Sequence, residues 1–184
     1  MTQVARALEA GLGLGLCREV FAAAGIWPHL VDPPTDMVDE RDVAQLHAAM
    51  VATLGDARAA EISWDAGQRT GDYLLANRIP RAAQFALRSL PRRLAAKLLV
   101  DAIARHAWTF CGAGRFGHEF TPNLRLTITG SPICRRLRTE APACHYFAGT
   151  FQRVFAAMLG PRVSVVETTC EAAGSDACRF EVTW

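Results

Sequence analysis

The sequence predicts an α+β fold in which N-terminal helices pack on a small antiparallel sheet. Two observations lead to this class. Apolar residues recur at helical spacing from residue 3 to about residue 109, and short strand-like runs replace them after Gly112-Ala-Gly114. Helices that precede a run of strands are typical of α+β proteins. A chain of 184 residues, 51% of them hydrophobic, is long enough to bury a sizeable core.

The first part of the chain predicts two helices joined by a proline-rich connector. The first helix covers residues 3 to 24 and stops at Gly25. Its apolar stripe consists of Val4, Leu8, Leu12, Leu16 and Val20. The connector, Trp27–Asp42, is predicted to be too extended for a helix because of its prolines. A second helix follows over Val43–Leu54 and ends at Gly55.

Alternating glycines inside the first helix, Gly11, Gly13 and Gly15, look like part of a dinucleotide-binding turn. That turn requires a strand before the glycines and a helix after them. No strand is predicted before Gly11, so these glycines indicate close helix packing instead. No nucleotide or flavin site is recognised elsewhere in the sequence.

A third helix is predicted over residues 58 to 77, and it contains Gly67 and Gly71 one turn apart. Each glycine lowers the stability of a helix interior by about 1 kcal/mol relative to alanine. Something must therefore approach the backbone closely at this point. A neighbouring helix is the first interpretation, and a flat ligand is the second.

Ile79-Pro80 ends that helix, and Pro91 begins a long helix that is predicted to reach Thr109. A shorter helix lies between them and ends near Leu90. The stripe of the long helix places His106 on an apolar face, after Leu94, Leu98 and Ala102. A histidine in such a place is either a hydrogen-bonded core residue or a ligand contact, and both interpretations stay open.

The segment around these two helices is strongly basic. Between Tyr73 and His106, Asp101 is the one acidic residue, and the basic residues are Arg78, Arg81, Arg88, Arg92, Arg93, Lys97 and Arg105. A solvated face is the ordinary interpretation of such a run. A seat for carboxylates or a contact with an anionic membrane surface is the more specific one.

Strands are predicted for the last third of the chain. The first two cover residues 115 to 121 and 124 to 129, and a helix is predicted over Cys144–Leu159. Residues 162 to 170 and 178 to 184 then form a hairpin around a turn at Gly174. This hairpin closes the domain.

The final hairpin predicts a metal centre. Folding about Gly174 sets Cys170 opposite Cys178, and Cys144 comes from the start of the preceding helix. Glu167 is an odd number of residues from Cys170, so a bulge or twist must re-aim its side chain. Ligands of mixed thiolate and carboxylate type suit tetrahedral zinc. From spacing alone, a disulfide and simple buried thiols remain alternatives, and His145 is the substitute for Glu167.

Composition excludes several classes of protein. The net charge of +2 is too small to predict nucleic-acid binding, and no run of eighteen apolar residues predicts a membrane span. The N-terminal residues do not show the pattern of a signal peptide, so we expect a cytoplasmic chain. In that compartment structural disulfides are rare.

Several segments together resemble the bacteriochlorophyll 4-vinyl reductase proteins of photosynthetic bacteria, over nearly the whole chain. These segments are Met37–Arg41, Gly67–Pro80, Ile103–Phe110, Gly112–Phe116, Cys144–Tyr146, Cys170 and Cys178–Glu181. The C-terminal two-thirds also resembles the wider 4-vinyl-reductase domain family, which includes sensor domains of phenol-responsive activators and is similar to vesicle-tethering subunits. The resemblance implies an N-terminal helical extension, residues 1–57, followed by one compact ligand-binding domain, residues 58–184.

The resemblance also implies a zinc site, a dimer and a ligand. In the related aromatic sensors a Cys, a Glu-x-x-Cys and a further Cys chelate zinc, and Cys144, Glu167, Cys170 and Cys178 match that pattern. The zinc is then expected to be closed and structural. Relatives pair into homodimers through helices. The implied role is that of a carrier or accessory protein that binds a chlorophyll-precursor tetrapyrrole and meets the enzymes of bacteriochlorophyll biosynthesis.

Whether the chain is itself an enzyme stays open at this point. Reduction of a vinyl group needs a hydride or electron source. The alternatives to a carrier are therefore a vinyl reductase that uses an external reductant and a small-molecule sensing or assembly module. A cytoplasmic carrier of a greasy pigment could also associate with a membrane through its basic segment.

A tetrapyrrole is flat and apolar with a carboxylate at one edge, so it needs a hydrophobic slot with a cationic rim. The expected slot lies along residues 91 to 110. Its expected walls are Trp64, Tyr73, Leu99, Ile103, Trp108, Phe110 and Phe116, with Arg78 or Arg105 at the mouth. His106 is the candidate axial ligand for magnesium in the pigment, and His118 is the second candidate.

Overall fold

The computed structural model describes all residues from Met1 to Trp184. The helices are α1 (Thr2–Ala23), α2 (Pro28–Val31), α3 (Glu40–Leu54), α4 (Asp56–Asn77), α5 (Arg81–Ser89), α6 (Arg92–Arg105), α7 (Trp108–Cys111) and α8 (His145–Leu159). The strands are β1 (Arg115–Phe120), β2 (Leu124–Thr129), β3 (Ser164–Thr169) and β4 (Cys178–Thr183), with 3-10 turns at Cys134–Arg136 and Glu171–Ala173. This order confirms the α+β prediction.

The N-terminal region differs from its prediction in two places. Helix α1 is kinked at Gly13, whose φ of 82° lies outside the helical region and favours glycine. The connector contains a short helix, α2, so the prediction that it is too extended for a helix is wrong over Pro28–Val31. Pro28 explains the difference, because proline at the first helical position needs no N–H partner and already has a helical φ.

The long helix predicted from Pro91 to Thr109 ends early, and this changes the position of His106. Helix α6 stops at Arg105, and His106 has φ −109° and ψ 11°. The helical periodicity therefore no longer applies at His106, whose side chain is exposed. The prediction of an apolar setting for His106 is wrong for this reason.

All four strands form one antiparallel sheet in the order β1-β2-β4-β3. The register pairs Leu126 with Phe180 in its centre, and both side chains are fully buried. The pairing of β3 with β4 shifts between Glu167 and Thr169. This irregularity confirms the bulge that the spacing of Glu167 requires.

Two apolar clusters form the core. The smaller one joins α1, α3 and the first half of α4, and includes Phe21, Met50 and Ile62. The larger one lies between the sheet and α6 and α8, and includes Phe155 and Phe180. Helix α4 contributes buried residues to the first cluster and partly buried ones to the second, so it lies between both.

Helices α4 and α8 pack backbone to backbone. A Cβ atom at Gly67 would lie 2.9 Å from the Thr150 nitrogen, and one at Gly149 would lie 2.6 Å from the Trp64 carbonyl oxygen. The Thr150 hydroxyl also donates to the Gly67 carbonyl at 3.2 Å. A neighbouring helix is therefore what approaches Gly67, which confirms the first interpretation of its position.

Among the helices, none combines the length and the apolar character that crossing a bilayer requires.

Candidate metal centre and adjoining cleft

Four buried cysteines, Cys134, Cys144, Cys170 and Cys178, bring their sulfur atoms together at one end of the sheet. The Sγ of Cys134 lies 3.2 Å from that of Cys144, 3.6 Å from that of Cys170 and 3.5 Å from that of Cys178. Cys178 lies 3.5 Å from Cys144 and 3.9 Å from Cys170. The four thiols thus occupy the corners of one small tetrahedron.

The size of this tetrahedron fits a single metal ion. A zinc–sulfur bond of about 2.3 Å implies sulfur–sulfur distances of about 3.8 Å in a tetrahedral site. Five of the six sulfur–sulfur distances, at 3.2–3.9 Å, are close to that value, and all four sulfurs lie within 4.8 Å of one another. Clusters of several iron atoms hold their ligating sulfurs further apart. The donor set therefore fits one tetrahedral, thiophilic ion, of which zinc is the common example.

Each cysteine is placed by a different piece of local structure. Cys144 caps the N-terminus of α8, as its position in the sequence predicts, and Cys170 and Cys178 flank the turn at Gly174, whose φ is 88°. Two backbone N–H groups donate to sulfur, from Ala143 to Cys170 and from Glu171 to Cys178, both at 3.4 Å. Such N–H donors stabilise thiolates and orient them.

Cys134 comes from the loop after β2, which the side chain of Glu171 holds in place. The two carboxylate oxygens of Glu171 accept the N–H groups of Gly130 and Ser131 at 2.6 and 2.7 Å. Sequence reasoning did not assign Cys134 to the site. The signal for it was its position soon after Ile128, the residue that pairs with Cys178 across the sheet.

Glu167, the carboxylate expected as fourth ligand, lies beside the four sulfurs rather than among them. Its Oε2 accepts the backbone N–H of Cys144 at 2.8 Å. Its Oε1 is buried and has no hydrogen-bond partner. Burial, followed by the neighbouring Cys170 thiol, raises the pKa of this carboxyl to about 9. His145, the substitute ligand, is also outside the group of four sulfurs.

The crowded thiols have strongly different affinities for protons. Hydrogen bonds from Cys134, Cys144 and Cys178 lower the pKa of the Cys170 thiol far below its usual value. Contact with the Cys134 sulfur raises the pKa of Cys178 correspondingly. The same contacts lower the pKa of Cys134 and raise that of Cys144, so two of the four thiols lose their protons more readily than an isolated cysteine and two less readily. A bound cation would favour ionisation of all four, because it compensates several thiolates together.

A cleft of about 250 Å³ adjoins the metal centre, between the connector, α3 and the start of α8. Most of its lining is apolar, and its polar lining groups are Thr2, Asp36, Glu40, His47, Thr109 and Tyr146. One wall is aromatic. The Tyr146 ring meets that of Phe147 at 5.8 Å, and the Phe147 ring lies 6.0 Å from that of Phe110.

Three of the six polar side chains in the cleft, those of Tyr146, Thr109 and Glu40, already have partners. The Tyr146 hydroxyl shares a hydrogen bond of 2.9 Å with Thr70, and Thr109 donates to the His106 carbonyl oxygen at 2.8 Å. Glu40 accepts the N–H of Ala113 at 2.9 Å and pairs with Arg135. These groups hold the walls of the cleft together.

His47 differs from them. Its side chain is buried, with 4% of its surface exposed, and its ring packs edge-on against that of Tyr146 at 5.9 Å. Neither ring nitrogen has a hydrogen-bond partner within the protein. Burial lowers the pKa of this imidazole to about 3, so the ring is neutral near pH 7. Sequence reasoning did not single out His47, since one histidine in a helix gives no signal of the cleft beside it.

The residues expected to wall a pigment slot fall into separate groups. Phe110 and Phe116 meet edge to face at 5.7 Å, and Phe110 alone of the expected set lines the cleft. Leu99 is buried in the larger core and Ile103 packs against it. Trp64, Tyr73 and Trp108 are 37%, 41% and 64% exposed.

The expected polar residues of that slot lie on the outside of the protein. Arg78 stacks over the Tyr73 ring at 5.9 Å, and Arg105 is exposed at the end of α6. The Nδ1 of His106 shares a hydrogen bond of 2.9 Å with the Ala102 carbonyl oxygen. The Nε2 of His118 lies 3.1 Å from a carboxylate oxygen of Asp101.

Comparison with known proteins gives relatives in both sequence and fold. The chain is 40% identical to the bacteriochlorophyll synthase 23 kDa chain of Cereibacter sphaeroides, over 98% of this chain and 86% of that one. It is 37% identical to the chain of the same name from Rhodobacter capsulatus, over 94% of this chain and 79% of that one.

Solved structures with the same fold are more distant in sequence. An Fe(II) unliganded H-NOX protein from K. algicida superposes with a TM-score of 0.64 at 14% identity, over 99% of this chain and 92% of that one. The phenol-responsive sensory domain of the activator PoxR, solved with phenol, superposes with a TM-score of 0.58 at 17% identity, over 80% of this chain and 75% of that one. An H-NOX structure that probes heme distortion superposes with a TM-score of 0.57 at 14% identity, over 98% of this chain and 89% of that one.

A domain family also matches the last third of the chain. The V4R domain model matches residues 124–183, which contain the four grouped cysteines. The match to the two curated chains extends over almost the whole sequence. The chain therefore belongs to the family of the bacteriochlorophyll synthase 23 kDa chain, with a V4R domain at its C-terminus.

Proposed function

We propose that this chain is an accessory protein of bacteriochlorophyll biosynthesis that binds a tetrapyrrole intermediate, such as divinyl protochlorophyllide, and delivers it to enzymes of the pathway. The observation that carries the proposal is the 40% identity, over 98% of the chain, to a chain named for bacteriochlorophyll synthase. The apolar cleft with its aromatic wall supports a flat ligand. Proteins of this fold include H-NOX structures described for heme distortion, and heme is itself a tetrapyrrole.

The test separates a carrier from an enzyme. Purified protein is incubated anaerobically with divinyl protochlorophyllide and reduced nicotinamide, and pigment absorption and products are followed. A shifted absorption band with no turnover supports the carrier. Formation of the 8-ethyl product would instead make the chain a vinyl reductase that uses an external reductant. No shift and no product would overturn pigment binding and favour a sensing or assembly module.

We also propose that the four cysteines hold one structural zinc ion. The support is the tetrahedral arrangement of their sulfurs and the N–H donors to two of them. A closed site of four protein ligands leaves no position for water, so the ion ties the loop, the hairpin and α8 together rather than taking part in a reaction. Elemental analysis of protein prepared without chelator should give one zinc per chain. Metal-free protein at full solubility and stability would contradict this.

Two further properties belong to the proposal. The chain is expected to form a homodimer, as its resemblance to the sensor family implies, and light scattering should then give about twice its mass of 20.0 kDa. It is also expected to be a cytoplasmic protein that works at a membrane surface. The support is helix α5 with its exposed arginines, Arg81 and Arg88, and with Phe85, whose ring is 75% exposed.

A further inference from the structure

We infer that His47 is the axial ligand of the magnesium ion at the centre of the pigment, and that the cleft beside the metal centre is where the pigment binds. This inference rests on the proposed function, which it deepens by naming the site and the atom that recognises the ligand. It moves the axial role from His106 to a residue on α3.

The first argument is the state of the His47 side chain. Its exposed fraction is 4%, it lines the cleft, and it has no hydrogen-bond partner in the protein. Its ring nitrogens are not fully enclosed, since the fully buried side-chain polar atom without a partner is Glu167 Oε1, so they reach the space of the cleft. Tyr146, Thr109 and Glu40 reach the same cleft but have partners. His47 therefore presents an unpartnered ring nitrogen to the cleft, where a ligand can meet it.

The second argument is chemical. The magnesium ion of a chlorophyll precursor is bound by four ring nitrogens in a plane and accepts a further ligand from one face. A neutral imidazole is a common nitrogen ligand of metals and is the usual axial ligand in heme proteins. Burial keeps His47 in that neutral form, because it lowers the pKa of the imidazole to about 3.

The third argument is the shape and character of the cleft. Phe110, Tyr146 and Phe147 give it an aromatic wall against which a flat macrocycle can stack. Its volume of about 250 Å³ is below the range of about 300–1,000 Å³ that is usual for ligand pockets. The charged side chains of the lining are Asp36 and Glu40, with no arginine or lysine. The macrocycle and its carboxylate must therefore extend out of the mouth, away from these two side chains and past the connector, where Met37 is 62% exposed.

The exposure of His106 argues against it as the axial ligand. His106 is exposed, and its Nδ1 is already bonded to the Ala102 carbonyl oxygen. A magnesium pigment on its remaining nitrogen would lie largely in water. Burial of the apolar macrocycle contributes most of the affinity of such ligands, so the exposed position gains little of it.

The experiment measures the affinity of two probes, magnesium chlorophyllide and the same pigment without magnesium, by absorption and fluorescence titration. The variants are His47→Leu and, as a matched histidine on the surface, His106→Leu. We expect His47→Leu to weaken the magnesium pigment at least about tenfold, which corresponds to about 1.4 kcal/mol. Binding of the magnesium-free pigment should hardly change, because only the axial bond is lost. In His47→Ala, added imidazole should restore binding of the magnesium pigment and its five-coordinate spectrum.

The outcomes distinguish failure of this inference from failure of the proposed function. Wild-type protein that binds neither pigment overturns the proposed function, and the inference with it. If wild type binds both pigments and His47→Leu weakens both equally, the function stands and His47 only packs in the cleft. Selective loss of the magnesium pigment in His106→Leu would return the axial role to His106. Circular dichroism and melting temperature establish that each variant is folded.

Discussion

The carboxylate of Glu167 supports Cys144 through its Oε2, which accepts the cysteine N–H at 2.8 Å, while its Oε1 is buried with no hydrogen-bond partner. This contact fixes the N-cap residue of α8 within the sulfur tetrahedron. Glu167 therefore has an orienting part in the structure, and Cys134 occupies the fourth corner that the sequence assigned to Glu167.

The first prediction follows from this arrangement. Cys134→Ser should lower the metal content clearly below one ion per chain and lower the melting temperature, because metal-binding energy at such a site is folding energy. Glu167→Gln should retain the metal, since the amide oxygen still accepts the Cys144 N–H. Elemental analysis and the visible spectrum of cobalt-substituted protein measure both effects. If the cobalt spectrum keeps all of its sulfur ligands in both Cys134→Ser and Cys178→Ser, the ion is bound elsewhere.

The second prediction concerns the contact of α4 with α8. Gly67→Ala places a methyl group against the Tyr146 carbonyl oxygen and the Thr150 nitrogen, and such overpacking costs about 1–3 kcal/mol. Gly15→Ala is the matched control in α1, where a Cβ meets nothing within 4 Å. That change should stabilise the helix by about 0.5–1 kcal/mol. The melting temperature should therefore fall in Gly67→Ala and rise in Gly15→Ala. Equal shifts in the two variants would mean that the helices are not in contact at Gly67.

The third prediction is a pH dependence from His47. Its pKa is about 3 in the folded protein, and an unfolded histidine has a pKa of about 6.5. Above pH 6.5 neither state binds the proton. As the pH falls from 6.5 towards 3, only the unfolded state does, so folding stability decreases by up to about 1.4 kcal/mol per pH unit. Chemical denaturation of wild type and His47→Leu over this range should show a shallower decrease in the variant.

The fourth prediction tests the membrane surface. Phe85→Asp should reduce co-sedimentation with anionic vesicles by about tenfold, because a buried phenylalanine contributes about 1.5–3 kcal/mol to such binding. Val166→Asp, at an exposed apolar position of β3, is the matched control and should bind as wild type does. Binding should also decrease with salt and be weak on uncharged phosphatidylcholine vesicles. Equal loss in both variants would assign the effect to charge alone.

The fold was predictable because its signals are local. Helices α1, α3 and α4 end shortly before Gly25, Gly55 and Pro80, and the register shift in β3 lies where the odd spacing of Glu167 from Cys170 predicted a bulge or twist. The site was predictable only where its residues lie in one hairpin or at a helix start. Cys134 enters through a loop whose course depends on the distant Glu171, and no periodicity reports that contact.

The cleft was not predictable for a related reason. Its walls come from the connector, α3, α7 and α8, which are far apart along the chain. The end of α6 at Arg105 also leaves His106 exposed, and helical spacing alone does not reveal where a helix stops. Phe110, expected as a wall residue because it closes the segment from Pro91, does line the cleft, and its ring meets that of Phe116 edge to face.

The start of α8 and its N-cap serve two sites, because Cys144 belongs to the sulfur tetrahedron while Tyr146 and Phe147 line the cleft. If metal and pigment bind at these two sites as proposed, they are linked ligands of one helix end. If the metal strengthens pigment binding by some factor, the pigment must strengthen metal binding by the same factor. A chelator competition run with and without pigment would measure that factor. Pigment supply would in this way protect the chain against loss of its metal, and a cell short of zinc would lose the carrier and its cargo together.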